Sequence, residues 1–137
     1  MIERLRDRAR AADGFTLIEV LVVVTLVVLL ASLGMVQYAN SVQRAREAVL
    51  KEDLFRMRDA IDQYHADKNK YPQSLQDLVS EKYLREVPVD PMTQSADSWQ
   101  TIPAEPDPNN PSADLGIYDI KSGSDRTALD GTPYSVW

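Results

Sequence analysis

The chain changes character at Gly14. Before it, charged and apolar residues are interleaved; after it, the run "FTLIEVLVVVTLVVLLASLGMV" carries a single charge, Glu19, and 24 uncharged residues separate that glutamate from Arg44. Roughly 20 consecutive apolar residues let an α-helix cross the hydrocarbon of a bilayer. The pattern therefore predicts a membrane-spanning helix. A secretory signal peptide cleaved near Ala31 to Gly34 is the alternative, but a glutamate inside the apolar region and a run longer than export requires argue against it.

Beyond the apolar run the periodicity changes and the helix continues. From Gln37 to Asn69 there is no proline or glycine, and Leu50, Leu54, Met57, Ile61 and Tyr64 recur at alternating spacings of four and three. That spacing draws one apolar stripe on a helix whose other faces carry Arg44, Arg46, Glu47, Lys51, Glu52, Arg56, Arg58 and Asp59. One helix of about 50 residues is expected, ending near Asn69, where "NKYP" supplies stop signals. Its stripe is too short to read as a coiled-coil seam, so it is expected to pack on the protein's own globular part.

The remainder predicts a small sheet. Ser74, with Asp77 three residues on, reads as the cap of a short helix in which Leu75, Leu78 and Val79 face inward. Six of the eight prolines lie from Pro88 to Pro111, which makes that segment largely loop. Within and after it, Ser98 to Ile102 and Gly116 to Ser122 alternate as strands, "SGSDRTALDG" reads as a turn-rich hairpin loop and "YSVW" as the closing strand. The fold class is thus α+β: a long N-terminal helix, its first half transmembrane, packed on a small antiparallel sheet.

Charge sharpens the division. The formal net charge is −6, yet residues 1–14 hold four arginines against three acids, so the rest of the chain carries −7. Such an acidic body is a poor fit for nucleic acid. Arginines before the apolar run, and none immediately after, place the N-terminus in the cytoplasm and the bulk of the chain on the other side. With no cysteine, no disulfide staples the fold. Nothing points to an enzyme: His65 is the sole histidine and has no recognisable nucleophile and base beside it, the five glycines form no phosphate loop, and Trp99 and Trp137 suit packing in a small sheet. A membrane-tethered binding module that never polymerises would keep the helix but leave Glu19 without a partner.

The junction "GFTLIEVLVVV" resembles the cleavage and methylation motif of type IV prepilins and type II secretion pseudopilins. "YHADKNKYPQSLQDLV", "YLREVPVDP" and the ending "YDIKSGSDRTALDGTPYSVW" are similar to the G-type major pseudopilin of type II secretion systems, so the resemblance spans nearly the whole chain. It implies a type IV pilin-like fold in three parts: a leader at 1–14, a transmembrane and assembly helix at 15–37, and a periplasmic globular domain at 38–137. It also implies that a prepilin peptidase cuts between Gly14 and Phe15 and methylates the new amine of Phe15. The subunit would then leave the inner membrane for a periplasmic filament of its own copies, working with minor pseudopilins and an inner-membrane assembly platform. A type IV pilus subunit is the alternative within the same architecture; many such pilins close a C-terminal loop with two cysteines, which this chain lacks.

The resemblance gives Glu19 a partner. Helices packed side by side with an axial offset bring the amine of Phe15 on one subunit to Glu19 on the next, a register device more than a source of net stability. Two departures stand out. Val36 occupies the position where the family commonly has proline, with Gly34 nearby as the alternative source of flexibility. The C-terminal loop, which binds calcium in G-type pseudopilins, is shorter here and offers Ser122, Ser124, Asp125 and Asp130 as oxygen ligands. Chemistry alone also allows an ordinary solvated turn, since aspartate and glycine are common turn residues.

Overall fold

The computed structural model describes residues 14–111 and 114–137. The leader expected at 1–14 therefore lies, Gly14 apart, outside the described residues. Helix α1 runs from Leu17 to Lys68, 52 residues without a break. It ends as the sequence suggests: Asn69 turns into the left-handed region (φ 55°) and its amide still donates to the carbonyl of His65 at 2.8 Å. Asparagine tolerates that conformation better than most residues, and Pro72 blocks a return to helix.

The chain divides into two units, Met1–Ala39 and Asn40–Trp137. In the first, every described residue is exposed to the surroundings of the protein, including the whole apolar run from Phe15 to Val36. The second contains the core. The stripe of α1 is buried as its spacing predicts, with Leu50, Met57 and Ile61 wholly inaccessible and Leu54, Ala60 and Tyr64 nearly so. Against it pack Leu78, Met92, Trp99, Ile117, Ile120, Ala128 and Tyr134.

The capping box is present. Ser74 Oγ accepts from the Asp77 amide at 3.2 Å and Asp77 Oδ2 accepts from the Ser74 amide at 3.1 Å, opening helix α2 (Leu75–Ser80) and turning Leu78 into the core. Strands β1 (Gln100–Pro103) and β2 (Ile117–Lys121) then pair antiparallel, with Thr101 opposite Ile120 and a bulge between Ile102 and Pro103. The proline has no amide to give the ladder, so the strand ends there, with one further bond beyond it from the Ala104 amide to the Gly116 carbonyl at 2.8 Å. Arg58 of α1 fastens the sheet to the helix: its Nε donates to Asp119 Oδ1 at 2.7 Å, and its Nη2 donates to the carbonyls of Ile120 and Trp137 at 3.0 and 2.8 Å.

One expectation fails. "YSVW" is not a strand; Tyr134–Val136 form a 3-10 turn, and the only ladder contact of that region among the described residues is an isolated bridge between Thr127 and Pro133. Helix α1 captures the aromatics instead. Tyr134 is buried against it, Trp137 meets Tyr134 edge-on at 5.1 Å, and Lys51 Nζ sits 4.5 Å from the centre of a Trp137 ring. Docking two large side chains on a helix outweighs what a third, four-residue strand would contribute.

Because a two-stranded sheet is marginal alone, the α1 stripe carries most of the stability of this unit. Leu54→Ala is expected to destabilise the protein by about 2–5 kcal/mol, read as a lower midpoint of chemical unfolding followed by tryptophan fluorescence. A loss under about 1 kcal/mol would mean the stripe does not anchor the core.

Candidate functional site

Two regions carry the candidate residues: the start of α1 and the C-terminal loop. At the first, Gly14 to Thr16 are non-helical and Thr16 caps the helix, its Oγ1 accepting from the Glu19 amide at 3.2 Å. Capping places Glu19 in the first turn, at the positive end of the helix dipole. Phe15 and Glu19 are exposed, and a Cβ added at Gly14 would meet nothing within 4 Å among the described residues.

Polarity within the apolar run is otherwise internal. Thr25 and Ser32 donate their hydroxyls back to the carbonyls of Leu21 and Val28, each at 2.7 Å, which hides both groups from hydrocarbon. Glu19 has no such solution. Among the described residues its carboxylate has no hydrogen-bond or ion-pair partner. A bare carboxylate deep in a bilayer costs about 3 kcal/mol on insertion scales, and such residues usually face another protein group. The helix passes through Gly34 and Val36 uninterrupted.

In the C-terminal loop the expected ligands separate. Ser122 and Ser124 are buried, whereas Asp125 and Asp130 are exposed. Ser122 Oγ donates to Asp90 Oδ2 at 2.6 Å and accepts from the Ser124 amide at 3.2 Å; Ser124 Oγ accepts from the Arg126 amide at 3.3 Å. Asp130 Oδ1 accepts from both the amide and the hydroxyl of Thr132, at 2.9 and 2.6 Å. Those bonds hold the Asp130 carboxyl below the usual carboxylate range. Among the described residues no three His, Cys, Asp or Glu side chains stand together as a metal-holding group.

Two acids outside the loop matter more to it. Asp90, in the "PVDP" segment, is fully buried, and its Oδ1 accepts from the Met92 amide at 2.8 Å while Oδ2 accepts from Ser122 Oγ and from the Gly123 amide at 3.3 Å. Glu47 of α1 takes the other side: its Oε1 accepts from the Leu129 amide at 2.9 Å, the Tyr134 hydroxyl at 2.8 Å and Gln43 Nε2 at 3.3 Å. Burial pushes the Tyr134 hydroxyl up from its ordinary pKa, with Gln43 opposing and Glu47 adding to the shift. Sequence reasoning placed Asp90 in a proline-rich loop and Glu47 on a solvated helix face. No spacing in a single chain relates either residue to a loop decades of residues away.

Comparison with known proteins bears on the first region directly. The model described as "Prokaryotic N-terminal methylation motif" matches residues 9–35, a span that includes Gly14, Phe15 and Glu19. Type II secretion system core protein G of Pseudomonas aeruginosa is 35% identical over 98 residues, covering 60% of this chain and 69% of that protein. The chain belongs to the type II secretion system core protein G family. The core protein G of Escherichia coli strain K12 is 30% identical over 104 residues, covering 64% of this chain and 70% of that protein. That of Aeromonas hydrophila is 35% identical over 69 residues, half of this chain and 48% of the relative. No solved structure gives a significant match. Family membership accords with the α+β, pilin-like architecture and with an apolar N-terminal helix that anchors the chain in a membrane.

The Asp130 turn makes a pH test possible. A carboxyl whose folded pKa is depressed adds stability that is complete above its ordinary pKa and lost as pH falls through the folded value. Thr132→Val removes the hydroxyl and should bring the Asp130 titration back toward the usual range, seen by carboxyl NMR on the full chain in micelles. An unshifted titration would place the cause elsewhere than in Thr132.

Proposed function

We propose that this chain is the major structural subunit of a type II secretion pseudopilus, a filament built from many copies that helps drive folded proteins outward. One observation carries the reading: within a prepilin methylation motif, the only charge of the apolar run that opens α1 is a glutamate whose carboxylate has no partner among the described residues. A monomer resting in a bilayer gains nothing from that glutamate. A stack of identical helices does.

In this reading the four arginines of the leader hold the N-terminus in the cytoplasm and the body of the chain enters the periplasm. A prepilin peptidase hydrolyses the Gly14–Phe15 bond and the freed amine of Phe15 receives a methyl group, keeping its positive charge. Thr16 and the first turn of α1 then present amine and carboxylate on one short segment, the amine at Phe15 and the carboxylate at Glu19. Each can therefore serve a different neighbour along the filament. A subunit with the wrong axial offset leaves a desolvated carboxylate unpaired, at a cost of several kcal/mol for a buried pair broken on one side. Register is enforced by that penalty. The assembly platform and minor pseudopilins would supply the force and the tip; chemistry by this chain itself is not required.

Two measurements test the proposal. The intact mass of the protein from its native membrane fraction should be lower by residues 1–14 and higher by one methyl; cleavage near Ala31 would instead mean an exported soluble domain. Glu19→Ala should leave the unfolding midpoint of the globular unit unchanged, since Glu19 lies outside its core, and should lower filament yield at least 10-fold, roughly the 1.4 kcal/mol that one decade represents. Normal filaments from that variant would remove the register role of Glu19.

A further inference from the structure

The resemblance to G-type pseudopilins leads to the expectation of a calcium ion in the C-terminal loop, and the residues there can be tried against it. A hard dication draws on roughly six to eight oxygen ligands converging from several sides. Here three of the four expected ligands are already committed to bonds of the fold, and the fourth, Asp125, stands exposed and, among the described residues, outside any group of three acids or histidines able to hold a metal. Ser122 Oγ donates a hydrogen bond to Asp90, Ser124 Oγ accepts from the Arg126 amide, and Asp130 Oδ1 accepts twice from Thr132. The guanidinium of Arg126 donates to the Met92 carbonyl, which sets a permanent positive charge inside the same cluster. As arranged, this donor set does not fit a resident dication.

What the loop displays is the reverse polarity. A calcium site gathers the loop's own carboxylates and carbonyls around a cation; this loop instead turns amide and hydroxyl donors outward onto two carboxylates that belong to other segments. Asp90 receives Ser122 Oγ and the Gly123 amide on one flank, 32 and 33 residues away in sequence. Glu47 receives the Leu129 amide and the Tyr134 hydroxyl on the other, 82 and 87 residues away. Between them the loop is cross-braced by the Arg126 contact to Met92 and by the Ala128 amide donating to Thr132 at 2.7 Å. Gly123 makes the Asp90 flank possible: a Cβ there would lie 1.9 Å from the Ser98 carbonyl oxygen, so only glycine lets the chain come this close.

We infer that Asp90 and Glu47 close the C-terminal loop of this subunit in place of calcium, so that its globular unit folds and resists proteolysis in the absence of the ion. Charge-assisted hydrogen bonds to a carboxylate are about twice as strong as neutral ones, and several converge on each acid, Asp90 being fully buried. The inference concerns the fold of one subunit and stands whether or not that subunit polymerises.

The test is thermal unfolding and limited proteolysis of the full chain in detergent micelles, with a calcium chelator or with millimolar calcium. Wild type is expected to give the same midpoint and the same loop cleavage rate in both conditions. A double Asp125→Asn, Asp130→Asn variant should retain calcium-indifference. Glu47→Ala and Asp90→Ala should each speed loop cleavage several-fold, with no rescue by calcium; Glu47, only half-buried, gives the readable variant where Asp90→Ala fails to fold. A calcium-dependent rise in the wild-type midpoint that the double variant abolishes would overturn the inference, as would Glu47→Ala and Asp90→Ala proteins indistinguishable from wild type.

Discussion

The globular unit depends on one apolar stripe. Its two strands hold only nine residues between them, too little ladder to persist in water, and α2 is a helix of six residues. None of these elements has a core without Leu50, Leu54, Met57, Ile61 and Tyr64 of α1. Long local helices form cheaply and early, whereas pairing β1 with β2 across a proline-rich loop carries a closure cost. The helix therefore acts as the template on which loop, sheet and C-terminus are laid. Polar side chains along its edges do the locating: Arg58 clamps β2 and the last residue, and Glu47 takes the loop that follows β2.

The same helix meets two opposite problems of solvation. In the apolar run, hydroxyls disappear into backbone carbonyls and Glu19 alone stays unsatisfied among the described residues. In the globular unit no buried side-chain polar atom among the described residues lacks a partner. Asp90 illustrates the second case, a fully buried acid surrounded by donors. Asp53, near it on α1, lacks comparable neutralisation: burial raises its pKa above the usual range, Arg56 offsets part of this, and Glu52 and Asp90 add to the rise. A carboxyl with a raised folded pKa favours the fold most at low pH and loses that contribution as pH climbs through the folded value. Contrast between satisfied and unsatisfied acids separates positions that build the fold from the position available to a neighbour.

How much of this is legible in the chain follows from the range of each interaction. The span of α1, its buried stripe and the Ser74 capping box are contacts within a few residues, and their spacing is the whole signal. Strand β2 is visible by alternation, β1 only approximately, starting two residues later and ending one residue later than the spacing predicts. "YSVW" misled because the apolar, polar, apolar order of Tyr134, Ser135 and Val136 copies the period of a strand, whereas burial falls steadily from Tyr134 to Val136 and the decisive contacts are with a helix turn 87 residues earlier. For the candidate residues, the N-terminal motif is contiguous and therefore readable. The loop is not, since its hydrogen-bond acceptors, Asp90 and Glu47, come from segments that alternation and periodicity treat as solvated.

A subunit that polymerises through an apolar helix faces a selectivity problem, because apolar surfaces of equal width slide against one another with little preference. Packing alone gives such a bundle several near-equivalent offsets separated by helix turns. A single carboxylate near the end of the helix breaks that degeneracy, for only one offset brings it to the amine created by cleavage of the leader. Processing and register would thereby become one event: before the Gly14–Phe15 bond is cut, no amine exists at Phe15 and every offset leaves Glu19 unpaired. In the proposed filament the uncleaved chain would then have no favoured place, and the peptidase step would act as the switch that makes the helix specific.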